Sequence, residues 1–117
     1  MSRSCLVRVW RRSDPTINMV QLWTWDESKN SRNIEKHGLS LETATLVFAD
    51  PIAQTVADPF EDEQRWRTFG EVRNTLILTV HTDPIYDGNE LIRSGRIVSA
   101  RKATAHERHW FEDQSHD

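Results

Sequence analysis

The sequence predicts an α+β domain with a largely antiparallel sheet, and three observations predict it. Segments rich in β-type residues recur from Val20 to Ala100, two capped helical segments lie between the first and second of them, and one capped segment follows the last. The element order is therefore β-α-α-β-β-β-β-α, with two N-terminal helices and one C-terminal helix. A length of 117 residues fits a single domain.

Each element has a local reason. Residues 1–18 show no sustained period and contain the break Asp14-Pro15. They read as an atypical, flexible leader ahead of a domain at 19–117, with Met19 a second candidate start. Val20–Trp25 alternates large apolar and polar residues, as a first strand does. Asp26 is an N-cap for a helix running to about His37, and Gly38 supplies the left-handed position that closes it. Ile34 is that helix's one strong apolar anchor. Ser40 caps a second helix, in which Leu41, Ala44, Val47 and Phe48 repeat at i, i+3, i+6 and i+7. Asp50-Pro51 stops it, because the residue before a proline avoids the helical region. Strands follow at Ile52–Ala57, Arg65–Val72, Thr75–Thr82 and Arg96–Ala100, and Asn74 turns the second into the third as a hairpin. Asp83-Pro84 and Asp87-Gly88 mark a loop. Thr104 and Glu107 form a capping box for a final helix over about Ala105–Gln114.

Charge narrows the function. Fifteen Lys and Arg against 18 Asp and Glu give a formal charge of −3. The distribution is uneven: residues 26–63 hold nine acids and three bases, whereas 93–108 hold five bases and one acid. An acidic total does not prevent phosphate binding when bases converge on one site. No apolar run approaches the ~20 residues of a membrane-spanning helix, and the arginine-broken N-terminus lacks a secretory core. The single Cys5 excludes an internal disulfide and a thiolate zinc cluster. A soluble cytoplasmic protein without a membrane partner is expected.

Arginines are the first candidates for chemistry. Arg65, Arg67, Arg96 and Arg101 fall on strands, and Arg93 precedes the last strand. Guanidinium groups bind phosphate through paired hydrogen bonds and stay charged. Such an array can cleave RNA without a metal: the ribose 2′-hydroxyl attacks the adjacent phosphate while fixed cations stabilise the transition state. The competing reading is an exposed strand face whose arginines pair with the nine acids of 26–63. Strand parity alone puts Arg96 and Arg101 on opposite faces.

Histidines come next. His81 ends the central strand near the arginines and has the side chain of a general acid or base, although a packed strand-end histidine is the commoner case. His37 ends a helix, where a cation suits the dipole, and is a second candidate for proton transfer. His106-Glu107-Arg108-His109 is not the helical zinc motif, because Trp110 occupies the i+4 position. No metal or cofactor is expected. Trp66 and Trp110 suit either base stacking or core packing. Lys29, Asn33, Lys36 and His37 share one helix face, either solvated or set against a nucleic-acid backbone.

The stretch WTWDESKNSRNIEKHGLSLETATLVFADP, followed by EQRWRTFG, LILTVHT and GRIVSARKATAHERHWFE, resembles the BrnT family of type II toxin–antitoxin systems over about residues 20–112. The ordered blocks WDxxKxxxNxxKHG, VFxDP, RxxxxG and RIxSARxAxxxE carry the resemblance. It implies a compact RelE-like ribonuclease that inhibits growth by cleaving RNA without a metal cofactor. It also implies neutralisation by a BrnA-like ribbon-helix-helix antitoxin, with operator DNA bound only through that complex. The residues that match are Lys29, Asn33, Lys36, His37 and Gly38, then Arg65, Arg96, Ser99, Arg101, Lys102 and Glu107. The expected catalytic set is Arg65, Arg96, Arg101, His81 and His37, and the expected RNA-binding set is Lys29, Lys36, Arg67, Arg93 and Lys102. Three departures stand out. Thr82-Asp83-Pro84 replaces a Thr-acid-Arg step, for which Arg93 is a possible substitute; Trp110 replaces a tyrosine; and the basic leader is atypical. They leave open an alternative, a catalytically weakened binding module that acts as corepressor with its antitoxin.

Overall fold

A computed structural model describes residues 2–11, 14–59, 62–88, 90–93 and 95–115, with the backbone alone for 2–11, 14–22, 86, 90–93 and 115. The strands are β1 (Ser2–Arg11), β2 (Asp14–Asp26), β3 (Gln54–Asp58), β4 (Arg65–Val72), β5 (Thr75–His81), β6 (Ile85–Asp87), β7 (Glu90–Arg93) and β8 (Gly95–Lys102). The helices are α1 (Glu27–His37), α2 (Leu41–Ala44) and α3 (Ala105–Ser115), with a 3-10 turn at Thr45–Ala49. Six strands make one sheet in the order β1-β2-β8-β5-β4-β3, and β6 and β7 form a separate hairpin.

The class is α+β, but the sheet is mixed rather than largely antiparallel. β2 runs parallel to β8 through Trp23↔Gly95 and Thr24↔Arg96. No turn residue announces this pairing, because the two strands are joined by the long crossover through the helices and β3–β5. Gly95 permits the approach: a Cβ there would lie 2.3 Å from the buried Trp23 ring. Backbone pairing also reaches into the stretch read as a leader, since β1 pairs antiparallel with β2 from Ser2↔Asp26 to Val9↔Met19. The expected loop after Thr82 contains the β6–β7 hairpin, whose short strands have no alternating pattern to announce them.

Elsewhere local chemistry sets the elements. Asp26 caps α1 by accepting the Ser28 N–H at 2.8 Å. Gly38, at φ 67°, donates its N–H to the Ile34 carbonyl at 2.7 Å and ends the helix. Arg73 and Asn74 both adopt positive φ, at 51° and 67°. They make the two-residue turn that joins Val72 to Thr75. The second helix is shorter than expected. After Ala44 it tightens to 3-10 geometry, because the Thr45 hydroxyl bonds back to the Glu42 carbonyl at 2.6 Å. The spacing of Leu41, Ala44 and Val47 is three residues, the 3-10 repeat, and all three are fully buried.

Two cores sandwich the sheet. Trp23, Trp25, Ile77, Ile97 and Ala100 meet Leu41, Ala44 and Val47 on one face. Phe69, Leu76 and Leu78 meet Phe111 of α3 on the other. Helix α1 is not anchored by Ile34, which is 46% exposed. Buried Asn33 holds it instead, and in doing so covers the edge of β8. Its Nδ2 donates to the Ala100 carbonyl at 2.9 Å and to the Leu39 carbonyl at 2.8 Å, while Oδ1 accepts the Ala100 N–H at 3.2 Å. One side chain thus takes the place of a neighbouring strand where β2 has already diverged. Among the described residues no helix is long and apolar enough to cross a membrane.

Candidate functional site

Strand register gathers the arginines on one face. Arg65 and Arg67 share the parity of Phe69, on the side covered by α3. On β8 the pairing shifts between Val80 and His81: Val80 faces Ser99 and His81 faces Ile97, leaving Val98 as the extra residue of a bulge. The extra residue restores Ser99 and Arg101 to the face of Arg96. The parity conflict between Arg96 and Arg101 is thereby removed, and four strand arginines emerge on the α3 side.

Two of them converge. Arg65 Nε donates to Glu63 Oε1 at 3.1 Å, and Arg96 Nη2 donates to the same oxygen. Glu63 precedes β4 and is about one-third exposed, as is Arg96. Its carboxyl is held below the usual carboxylate range by the Arg65 hydrogen bond first, against desolvation, and then by the Arg96 charge and hydrogen bond. Two guanidiniums that share one carboxylate oxygen can also share one phosphoryl oxygen.

Arg67 and Arg101 lie on the same face with carboxylates of their own. Arg67 Nε donates to Asp58 at 2.5 Å across the β3–β4 pair. Arg101 donates to both oxygens of Glu107, at 2.7 and 3.0 Å. Glu107 also accepts the Thr104 N–H at 2.8 Å, and its own N–H bonds the Thr104 hydroxyl at 3.1 Å, which is the expected capping box. The Arg101 hydrogen bonds are the main reason the Glu107 carboxyl falls to about 2, and Glu107 in turn raises Arg101. Glu107→Ala is expected to lower stability by about 1–2 kcal/mol, chiefly through the lost cap. Urea unfolding checks this, and Glu107→Gln, which keeps the cap but not the charge, should lose less.

The other expected residues sit elsewhere. His81 is 2% exposed. Its ring meets Trp23 and Phe48 edge-on, at centroid distances of 5.1 and 4.8 Å. Nε2 lies 2.6 Å from the Thr68 hydroxyl and Nδ1 3.2 Å from the Thr82 carbonyl. Burial drives its pKa down to about 4. His81 is therefore a packed, neutral side chain of the core rather than a group on the arginine face. Lys29, Arg32, Lys36 and His37 line a cleft between α1 and β8, with Asn33, Val98 and Ser99 at its base. Lys102 is exposed at the end of β8, and the side chain of Arg93 lies outside the described residues. Trp110 packs against Phe69 at 5.1 Å, while half-buried Trp66 lines a second cleft with Glu63, Thr82 and Asp83.

With this geometry in place, the chain can be set against known protein families. The family model described as ribonuclease toxin, BrnT, of type II toxin-antitoxin system matches residues 25–107. The chain belongs to the BrnT family. No curated protein matches it. The BrnT match begins at Trp25 beside the α1 cap and ends at Glu107 in the capping box, so it takes in α1, the Arg65–Arg96 pair and Arg101. Membership in a BrnT toxin family of a type II system implies an antitoxin partner.

Two structural features of this BrnT domain escaped the sequence reading, and a third, Asn33, was placed on a helix face without its anchoring role. Glu63 was one acid among nine, and nothing local shows that it reaches β8. The Val98 bulge has no glycine to mark it. Asn33 did leave a signal: a helix almost without apolar residues needs a polar side chain to hold it, and Asn33 lies midway along the face of Lys29 and Lys36–His37.

Proposed function

We propose that this BrnT-family chain is a metal-independent endoribonuclease, RelE-like in its mode of action, which arrests growth in the cytoplasm until a BrnA-like ribbon-helix-helix antitoxin covers it. The observation that carries the reading is the meeting of Arg65 and Arg96 on one carboxylate oxygen. In the proposed reaction a phosphate of RNA takes the place of Glu63. The ribose 2′-oxygen attacks phosphorus as its proton leaves, the bond to the 5′-oxygen breaks, and that oxygen takes up a proton. The products are a 2′,3′-cyclic phosphate and a 5′-hydroxyl. Arg65 and Arg96 stabilise the charge that accumulates on phosphorus. Arg101, Arg67 and Lys102 extend the cationic face, and Lys29 and Lys36 in the α1 cleft carry the RNA backbone onward. His37, at the mouth of that cleft, remains the candidate for proton transfer, and His81 supports the core behind the pair. Operator DNA is met only through the antitoxin complex.

A second reading has its own support. Arg65, Arg67, Arg96 and Arg101 each already have a carboxylate partner, as a structural ion-pair network would provide. On that reading the chain is a weakened toxin that survives as corepressor. Glu63→Gln separates the two. If the arginines are an anion site, removing the competing charge should raise affinity for inorganic phosphate several-fold. If they are structural, stability should fall with no gain in binding. Induced expression of the chain supplies the direct test: arrested growth with fragmented cellular RNA is expected, and intact RNA would overturn the nuclease reading.

A further inference from the structure

The cleft beside the arginine pair has the chemistry of a nucleobase site. It is lined by Glu63, Gln64, Trp66, Thr82, Asp83 and Ile85, and only Glu63 has a role so far. Glu63 belongs to both cleft and pair, and the strand backbone that carries Arg96 borders the cleft, its N–H donating to the Thr82 hydroxyl oxygen at 3.0 Å. The Trp66 indole and Ile85, which is 50% exposed, give it apolar walls. Aromatic walls of this kind stack on bases released from a helix.

Two polar groups in the cleft are available. Thr82 accepts from Arg96 with its oxygen, so its hydroxyl proton is left to donate. Among the described residues the Asp83 carboxylate approaches His81 Nδ1, at 3.6 Å, and the proton there is already directed at the Thr82 carbonyl. Asp83 is 56% exposed and can turn its two acceptor oxygens to the cleft. One donor beside one carboxylate matches a single base edge. Guanine offers O6 as acceptor next to N1–H and N2–H, two donors that a carboxylate takes together. Adenine and cytosine each offer one such amino group with an acceptor beside it, which would face the carboxylate's charge. Uracil offers one N–H between two acceptors.

We infer that the cleft holds a guanine base, stacked on Trp66, with N1–H and N2–H on Asp83 and O6 on the Thr82 hydroxyl. This rests on the reading of Arg65 and Arg96 as the site of the adjoining phosphate, and it makes the toxin guanine-selective.

Calorimetric titration of the full chain with the 3′-monophosphates of guanosine, adenosine, cytidine and uridine, and with inorganic phosphate, tests the assignment. Guanosine 3′-monophosphate should bind about tenfold more tightly than the other three. Asp83→Asn should erase that preference without changing the affinity for inorganic phosphate. Trp66→Ala should weaken all four nucleotides towards inorganic phosphate, and Trp66→Phe, which keeps a ring, should restore most of the difference. Four equal affinities in the unsubstituted chain, or a preference that survives Asp83→Asn, would overturn the guanine site and leave the phosphate site standing. Absence of binding by inorganic phosphate and by every nucleotide would overturn both.

Discussion

Arg96→Ala is expected to lower the rate of RNA cleavage by about 10²–10³-fold, the loss found when one preorganised donor to a transition-state oxyanion is removed. Arg96 holds half of a two-guanidinium site whose other half, Arg65, meets it on Glu63 Oε1. Arg65→Ala should cost a similar factor. The double variant should cost far less than the product of the two, because groups that act on one oxygen act as a unit. Arg96→Lys should rescue little, since a lysine is a point charge without the planar fork. Arg96 is about one-third exposed, so its ion pair contributes little to folding. A thermal melt close to that of the parent should therefore accompany the lost activity. Cleavage at the parental rate by Arg96→Ala would remove this residue from the chemistry.

The sequence showed local structure more readily than it showed how distant residues would meet. Caps and turns were legible because each depends on a few neighbours: Asp26 with Ser28, Gly38 with Ile34, Thr104 with Glu107. The hairpin at Arg73–Asn74 belongs to the same class. Long-range pairing left no such trace. The parallel contact of β2 with β8 depends on Trp23 passing over Gly95, residues that lie far apart in the chain. Arg96 and Arg101 share a face only because Val98 is bulged out, and a period-two count cannot see one inserted residue. The acids of 26–63 were read as competitors for the arginines, and the structure bears this out for Asp58 and Glu63. Glu107 is the exception, since it caps α3 and binds Arg101 with the same carboxylate.

His81 defines a second large effect, on stability rather than on chemistry. The Thr82 carbonyl can only accept, so the proton of the neutral ring sits on Nδ1, and Nε2 accepts from the Thr68 hydroxyl. Thr55 completes the chain, its hydroxyl 2.8 Å from that of Thr68. A second ring proton would have no acceptor lone pair in this arrangement until Thr68 turned, and the new charge would sit against Trp23 and Phe48. The folded ring therefore resists protonation until about pH 4, whereas an unfolded histidine takes a proton near 6.5. The unfolded state binds the extra proton in that window, so stability is full above about pH 6.5 and falls as the pH drops towards 4. The loss approaches about 1.4 kcal/mol per pH unit, or about 3 kcal/mol across the window. It precedes the contribution of Glu107, whose carboxyl, held at about 2, costs stability only as the pH falls below its unfolded value of 4.5. Urea unfolding at pH 7, 6 and 5 should trace the slope. His81→Gln, which keeps an acceptor or donor for Thr68 but cannot titrate, should start less stable at pH 7 and lose less on acidification. An unchanged slope in that variant would place the titrating group elsewhere.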